Sequence, residues 1–229
     1  MDFLAITAPN PGPLTLGGTN TYVADGTVVD PGPNDERHLK KLLATGMVER
    51  IVLTHRHPDH AAGAARLSEL AGAPVLAFGA GISDGDVIGG LVAVHTPGHA
   101  PEHLCFWHPE SRTLLSGDLL AGEGSIMISP PEGELRKYVA SLERVRRLAP
   151  SRILPGHGPE VARAEEKIEE YLAHRREREA RVVAALDSGA RSLDEVVESA
   201  YADVPPPMRP YAKLSAKAHL LKLGRHVRS

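Results

Sequence analysis

Thr54-His55-Arg56-His57-Pro58-Asp59-His60 places three imidazoles and a carboxylate within six consecutive positions, directly after the apolar run Ile51-Val52-Leu53. Imidazole nitrogens and carboxylate oxygens are the ligand types that suit zinc and its neighbours, and a short loop leaving a strand turns alternate side chains towards different ions. On this reading His55 and His57 share one ion, while Asp59 and His60 face a second. Two ions need further ligands, and the chain supplies them in similar settings. His99 lies in Val94-His95-Thr96-Pro97-Gly98-His99, Asp118 in Leu114-Leu115-Ser116-Gly117-Asp118, and His157 in Ile153-Leu154-Pro155-Gly156-His157. Each follows a short apolar run and a glycine that permits a tight turn, as expected of a side chain presented at a strand end. An aspartate has two oxygens, so Asp118 is the natural bridge, with His55, His57 and His99 on one ion and Asp59, His60 and His157 on the other.

These residues resemble the metallo-β-lactamase superfamily of hydrolases in its glyoxalase-II-like branch, and all seven ligand positions of its dinuclear pattern match. Gly17-Gly18-Thr19-Asn20-Thr21-Tyr22 and Val28-Val29-Asp30-Pro31-Gly32 look like its opening strands. Gly117-Asp118-Leu119-Leu120-Ala121-Gly122-Glu123-Gly124-Ser125, and the tail from Tyr171-Leu172-Ala173-His174-Arg175-Arg176 onward, look like the group whose animal member is a mitochondrial endoribonuclease. The alternation of strands and helices would ordinarily suggest a doubly wound parallel sheet. The resemblance implies instead an α+β fold, a four-layer αβ/βα sandwich of two mixed sheets with helices outside. It also implies a catalytic domain over residues 1–162 and a small helical, winged-helix-like appendage over residues 163–229.

Short β-branched runs bounded by Gly and Pro predict strands at Thr27–Val29, Ile51–Leu53, Val75–Phe78, Leu91–Thr96, His103–Trp107, Thr113–Ser116 and Arg152–Leu154. Helices are expected from Asn34 or Asp35 to about Ala44, from Asp59 through Leu70, and from Glu132 through Leu148. From Arg163 the chain becomes highly charged, and Ile168, Leu172, Val182, Val183 and Leu186 form only a partial apolar stripe, so the segment to Leu186 reads as a solvated helix. Ser192-Leu193-Asp194-Glu195 has the form of a capping box, and Pro205-Pro206-Pro207 of a break before a last helix ending near Gly224. A β-wing would follow Gly224; with five residues remaining to Ser229, it is expected to be missing or very short.

A chain of 229 residues with 42% hydrophobic content supports one sizeable core and a small appendage. The single cysteine excludes an internal disulfide, and Cys105, inside Leu104-Cys105-Phe106-Trp107, reads as a small buried side chain rather than a nucleophile. The start has neither a basic segment nor an apolar core of signal-peptide length, and no stretch approaches a membrane span, so a cytoplasmic protein without membrane association is expected. Residues 1–162 carry 13 basic and 18 acidic side chains, a formal −5, whereas residues 163–229 carry 13 and 11, a formal +2. The catalytic part is therefore not a basic nucleic-acid surface. Lys213, Lys217, Lys222, Arg225 and Arg228 follow Asp203 with no acid between them, a cluster able to touch phosphates, although no aromatic row accompanies it.

The remaining histidines His38, His95, His108, His174, His219 and His226 read as hydrogen-bonded structural residues. His103, four residues after His99, is a candidate for holding a ligand from behind or for orienting substrate, with simple packing as the alternative. The expected cofactors are two zinc ions, with iron or manganese as alternatives. The mechanism that follows is attack by a metal-bridging hydroxide, with Asp59 and Asp118 as the carboxylates closest to the chemistry. Substrate contacts are expected from loops at the mouth, where Asn20, Glu123, Ser125 and Met127 are the candidates. Three activities remain open: hydrolysis of a small acyl ester or thioester, single-strand-specific cleavage of RNA, and oxidation of a persulfide at one iron held by His55, His99 and Asp118. The expected partner is accordingly a small acyl molecule or single-stranded RNA; the sequence leaves the oligomeric state open.

Overall fold

The computed structural model describes residues 1–228. Its first sheet runs in the order β1 (Leu4–Thr7), β2 (Asn20–Ala24), β3 (Thr27–Val29), β4 (Arg50–Val52), β5 (Val75–Phe78) and β6 (Gly81–Ile82). The second runs in the order β11 (Arg152–Pro155), β10 (Thr113–Gly117), β9 (Leu104–His108), β8 (Leu91–His95) and β7 (Val87–Ile88). Both sheets are mixed. Strands β3 to β6 pair in parallel, as do β10 and β11, and the remaining neighbours are antiparallel.

Side chains alternate across a strand, so a strand covered on both faces must be apolar at successive positions. Val29, Val52, Ala93, Leu104, Phe106, Leu115 and Leu154 point into the space between the sheets and form one core. Their neighbours Val28 and Ile51 face helices α1 (Glu36–Leu43) and α3 (Ala64–Ala71) on the outside of the first sheet. Val94, Cys105, Trp107, Leu114 and Ile153 face helices α4 (Leu135–Arg146) and α5 (Ala164–Asp187) on the outside of the second. The result is helix, sheet, sheet, helix: the four-layer sandwich expected, with the two sheets meeting through fully buried side chains such as Phe106 and Leu104. Burying each large side chain of this kind contributes about 1.5–3 kcal/mol.

Local signals set most element ends. The Asp35 carboxylate accepts from the His38 N–H at 2.8 Å and starts α1. Ser192 and Glu195 form the expected capping box at the start of α6 (Leu193–Ala200), and α7 (Arg209–Leu223) ends on Gly224 at φ 64°. The expected helix from Asp59 to Leu70 is broken in two. A short α2 (Pro58–Ala61) precedes α3, because the Gly63 N–H donates to Gly32 O at 2.9 Å and a side chain at Gly63 would lie 2.9 Å from Pro33 O. The loop after β3 thus pins the chain at Gly63. The helix expected from Glu132 starts later, at Leu135, since the Gly133 N–H is turned back onto Ser129 O.

Helix α5 is less solvated than its charge suggests. Its first half sends Ala164, Ile168, Tyr171 and Leu172 into the core outside the second sheet, whereas Val182 joins Val196, Val197, Tyr201, Ala216 and Leu220 in a separate small core with α6 and α7. Beyond Gly224 the chain turns back so that the Leu193 N–H donates to Arg228 O and the Arg228 N–H to Arg191 O, a single bridge beside α6 in place of a wing. No helix among the described residues is long and apolar enough to cross a membrane.

Candidate metal centre

All seven candidate ligands leave the C-terminal ends of strands. His55 and His57 lie on the loop after β4, Asp59 and His60 in the first turn of α2, and His99, Asp118 and His157 follow β8, β10 and β11. The donor atoms of His55, His57 and His99 lie within 4.8 Å of one another, and so do those of Asp59, His60 and His157. Asp118 sits between the two groups. Its Oδ1 is 3.3 Å from His60 Nε2 and 3.4 Å from His157 Nε2, while its Oδ2 is 3.4 Å from His99 Nε2.

The hydrogen bonds behind the rings assign their tautomers. His60 Nδ1–H donates to Asp30 Oδ2 at 2.8 Å, His157 Nδ1–H to Gly18 O at 3.3 Å and His99 Nδ1–H to Met127 O at 3.1 Å. His57 donates through Nε2–H to Glu132 at 3.3 Å. The Thr54 hydroxyl donates to Asp30 Oδ2, so it accepts from His55 Nδ1–H at 2.9 Å. Each ring therefore turns a lone pair inward. His60 Nε2 faces His157 Nε2 at 3.1 Å and His99 Nε2 faces His57 Nδ1 at 2.9 Å, while His55 Nε2 and Asp118 Oδ1 are buried without a hydrogen-bond partner. Opposed lone pairs and orphaned buried acceptors are costly unless a cation lies between them, so the donor set fits divalent metal on both sides of Asp118.

Electrostatics separate the two halves. Burial, reinforced by the neighbouring His60, holds His55 well below the ordinary histidine range, and burial with His57 lowers His99. Burial alone would lower His60 and His157 too, but the Asp118 and Asp30 charges hold His60 well above the ordinary range. The adjacent Asp118 and Asp59 carboxylates, 3.4 Å and 3.2 Å from its Nε2, likewise raise His157 to about 9. Burial would raise Asp59 and Asp118; contacts with His157 and His60 reverse this, and both stay ionised. Without metal, protons take its place on the His60 side.

The sign of the linkage follows. A folded-state pKa raised from 6.5 to about 9 contributes stability that is complete below pH 6.5 and lost as pH rises through about 9. Metal needs the same nitrogens deprotonated, so its stabilisation grows over that window. The melting temperature of chelator-treated protein is expected to fall between about pH 6 and about pH 9, while ~1,000-fold saturating zinc adds about 10 °C near pH 9 and less near pH 6. Thermal melts at the two pH values with chelator and with zinc check this; a zinc effect larger at the lower pH would contradict it.

The other expected site residues divide. His103 is fully buried; its Nδ1–H donates to Thr96 Oγ1 and its Nε2 accepts the Asp118 N–H at 3.1 Å, so it holds the Asp118 turn from behind. Glu123, Ser125 and Met127 line a cleft of about 380 Å³ that opens over Asp59, His99, Asp118 and His157. Asn20 does not line it. Its amide donates to Pro155 O at 3.1 Å and Gly158 O at 2.8 Å, and its oxygen accepts from Thr7, so it clamps the loop carrying His157 and has nothing left for substrate. Cys105 is buried and its thiol is pushed up to about 12 by that burial, as a structural residue's would be.

Sequence reasoning missed Asp30, which accepts from the Thr54 N–H, the Thr54 hydroxyl and His60 and so fixes the turn bearing His55. Its signal was an acid at a strand end before Pro31-Gly32. It also missed that the helices from α5 onward wall the cleft, through residues including His174, Arg175, Tyr201 and Tyr211.

Comparison with known proteins agrees with this architecture. The sequence profile of the metallo-beta-lactamase superfamily matches residues 14–82 and 78–157, and that of the beta-lactamase associated winged helix domain matches residues 192–226. The chain is 34% identical over 244 residues to the beta-lactamase-like protein 2 homolog of Caenorhabditis elegans, covering 93% of this chain and 81% of that protein. It is 29% identical over 232 residues to the atrochrysone carboxyl ACP thioesterase of Aspergillus fumigatus, covering 86% and 72%. The crystal structure of a metallo-beta-lactamase family protein from Thermus thermophilus superposes with a TM-score of 0.81 at 24% identity over 97% of this chain and 94% of that one. With two facing mixed sheets, the His and Asp cluster at their strand ends and a profile match across most of the sandwich, the chain belongs to the metallo-beta-lactamase superfamily of metal-dependent hydrolases.

Proposed function

We propose that this protein hydrolyses small acyl esters or thioesters with two zinc ions, which His55, His57 and His99 would hold on one side of Asp118 and Asp59, His60 and His157 on the other. The observation that carries the reading is the Asp118 carboxylate, which turns one oxygen to each histidine group on the floor of a cleft of about 380 Å³, a volume suited to a small molecule. Bound divalent ions would supply Lewis acidity, making water a nucleophile near neutral pH and polarising the scissile carbonyl. The chain does the rest. Asp59, ionised and partly open to the cleft, accepts a hydrogen bond from the attacking water and orients it. Asp30, Thr54 and His103 hold the ligand-bearing turns. Similarity to a protein named as an acyl carrier protein thioesterase supports the acyl reading.

Cleavage of RNA is the second reading, and the terminal positive cluster is its main support. Two of those five charges are paired within the chain, Lys213 with Asp194 and Lys222 with Glu179 at 2.6 Å, which weakens the cluster as a phosphate contact. The test is elemental analysis of the purified protein together with turnover of a generic thioester and of labelled single-stranded RNA by the same preparation. The expected result is about two zinc ions per chain and thioester cleavage without RNA cleavage. RNA cleavage lost on removing Asp118 would move the reading to a ribonuclease, and a single iron with neither activity to an oxygenase.

A further inference from the structure

Arg175 is 5% exposed and lines the cleft, yet among the described residues no carboxylate lies within ion-pair distance of it. Its neighbour on α5, Arg178, is by contrast held by Asp203 through two bonds of 2.7 Å. The Arg175 guanidinium has only a hydrogen bond to Ile126 O and the face of Tyr138, with its carbon 5.0 Å from the ring centre, and its Nε is buried without a partner. A carbonyl and a ring face do not balance a buried full charge, and such a charge without a counter-ion is strongly unfavourable.

Two other buried groups on the same wall lack partners. The Tyr201 hydroxyl, on a residue 5% exposed, has none, and neither has His174 Nδ1. His174 Nε2 accepts from Arg178 Nε at 3.4 Å, so Nδ1 carries the proton; burial and the adjacent Arg175 charge keep the ring neutral at physiological pH. All three orphans can donate, one of them from a cation: the Arg175 Nε–H, the His174 Nδ1–H and the Tyr201 O–H, whose oxygen can also accept. Two obligate donors and a hydroxyl free to donate, beside an unbalanced positive charge, match an anionic oxygen group. The wall is also close to the metal centre. Ile126 accepts from Arg175 and the next residue, Met127, accepts from His99, on consecutive residues whose Cα atoms are ~3.8 Å apart.

We infer that the appendage wall of the cleft, built on Arg175 with Tyr201 and His174, is a subsite for a carboxylate carried on the acyl part of the substrate, a few bonds from the scissile carbonyl. This rests on the acyl-hydrolase reading above. The acyl part is assigned to this wall because Arg175 and Tyr201 are buried and suit a short group, whereas the leaving thiol or alcohol extends towards the open side of the cleft. Hydrolysis breaks the acyl C–S or C–O bond, forms a C–O bond to water oxygen, and releases a dicarboxylate and the protonated leaving group.

The test compares succinyl and butyryl thioesters of N-acetylcysteamine, which differ in one terminal carboxylate, on zinc-loaded protein. The ratio of kcat/KM for succinyl over butyryl is expected to be roughly 100-fold in the native protein and to collapse towards unity in Arg175→Met, the order of effect for losing one partner of a buried charge pair. Tyr201→Phe, which removes a single hydroxyl, is expected to lower the ratio by about 10-fold or less. Arg175→Met also removes an unbalanced buried charge, so its melting temperature is not expected to fall. A readout independent of turnover is the thermal shift produced by glutarate against butyrate. Extra stabilisation by glutarate in the native protein, lost in Arg175→Met, supports the subsite even if neither thioester is hydrolysed, in which case the acyl-hydrolase reading fails alone. Equal thioester ratios in native and Arg175→Met protein, together with equal glutarate shifts, would overturn it. Binding of single-stranded oligouridylate lost in Arg175→Met, with no glutarate effect, would overturn it in favour of a phosphate contact.

Discussion

The Asp118→Ala variant is expected to lose turnover by on the order of 10³-fold or more, several kcal/mol of transition-state stabilisation, while keeping its far-UV circular dichroism. Asp118 turns an oxygen to each histidine group, at 3.3 Å and 3.4 Å through Oδ1 and at 3.4 Å through Oδ2. Its removal leaves neither group a shared anion, so bound metal is expected to fall below about two ions per chain in the same variant. The fold survives because the four apolar cores are built from other residues. Steady-state kinetics and elemental analysis on one preparation decide the matter: near-native kcat in Asp118→Ala would remove it from the chemistry.

The second large effect is expected at Gly98, the residue before His99. Gly98 has φ 135°, a conformation closed to L side chains, and a Cβ there would lie 2.2 Å from Tyr138 N and 2.3 Å from Tyr138 Cα. Those are backbone atoms of α4, whose first turn is tied to the same residue by the Glu134 N–H donating to Gly98 O at 2.8 Å. Neither side can yield without moving the helix off the loop. Gly98→Ala is expected to cost roughly 3–5 kcal/mol and about 10 °C in melting temperature. Gly46 provides the control, since it has the same φ of 135° and a Cβ there would meet nothing within 4 Å. Gly46→Ala is expected to cost only the backbone strain, about 1–2 kcal/mol. Denaturant unfolding of the pair separates crowding from strain; equal losses would mean that the α4 contact carries no weight.

Most of the strands were legible because their residues are apolar at successive positions and stop at Gly or Pro. Val75–Phe78 is read at both ends, and Arg152–Pro155 and Thr113–Gly117 to within a residue. Strand β1, Leu4–Thr7, was not legible: three of its four residues are exposed on a sheet edge, so burial leaves little pattern to read. The helix break at Gly63 was hidden for a different reason. It depends on Gly32 and Pro33, which are distant in sequence and meet Gly63 only after the sheet has formed.

The sequence by itself determined which side chains gather at the strand ends, because metal-binding side chains are of few types and His99, Asp118 and His157 each follow a glycine: His55, His57, Asp59, His60, His99, Asp118 and His157 are all brought together. Only the tertiary structure decided what surrounds them. Asn20 spends its hydrogen bonds on Thr7, Pro155 and Gly158, Asp30 steers His60 across 30 residues, and Arg175 reaches the cleft from a helix that reads as a charged surface. A ligand declares itself by its own chemistry, whereas a clamp, an orienting acid or a cleft wall is defined by its neighbours, and those are set by packing between segments far apart in the chain.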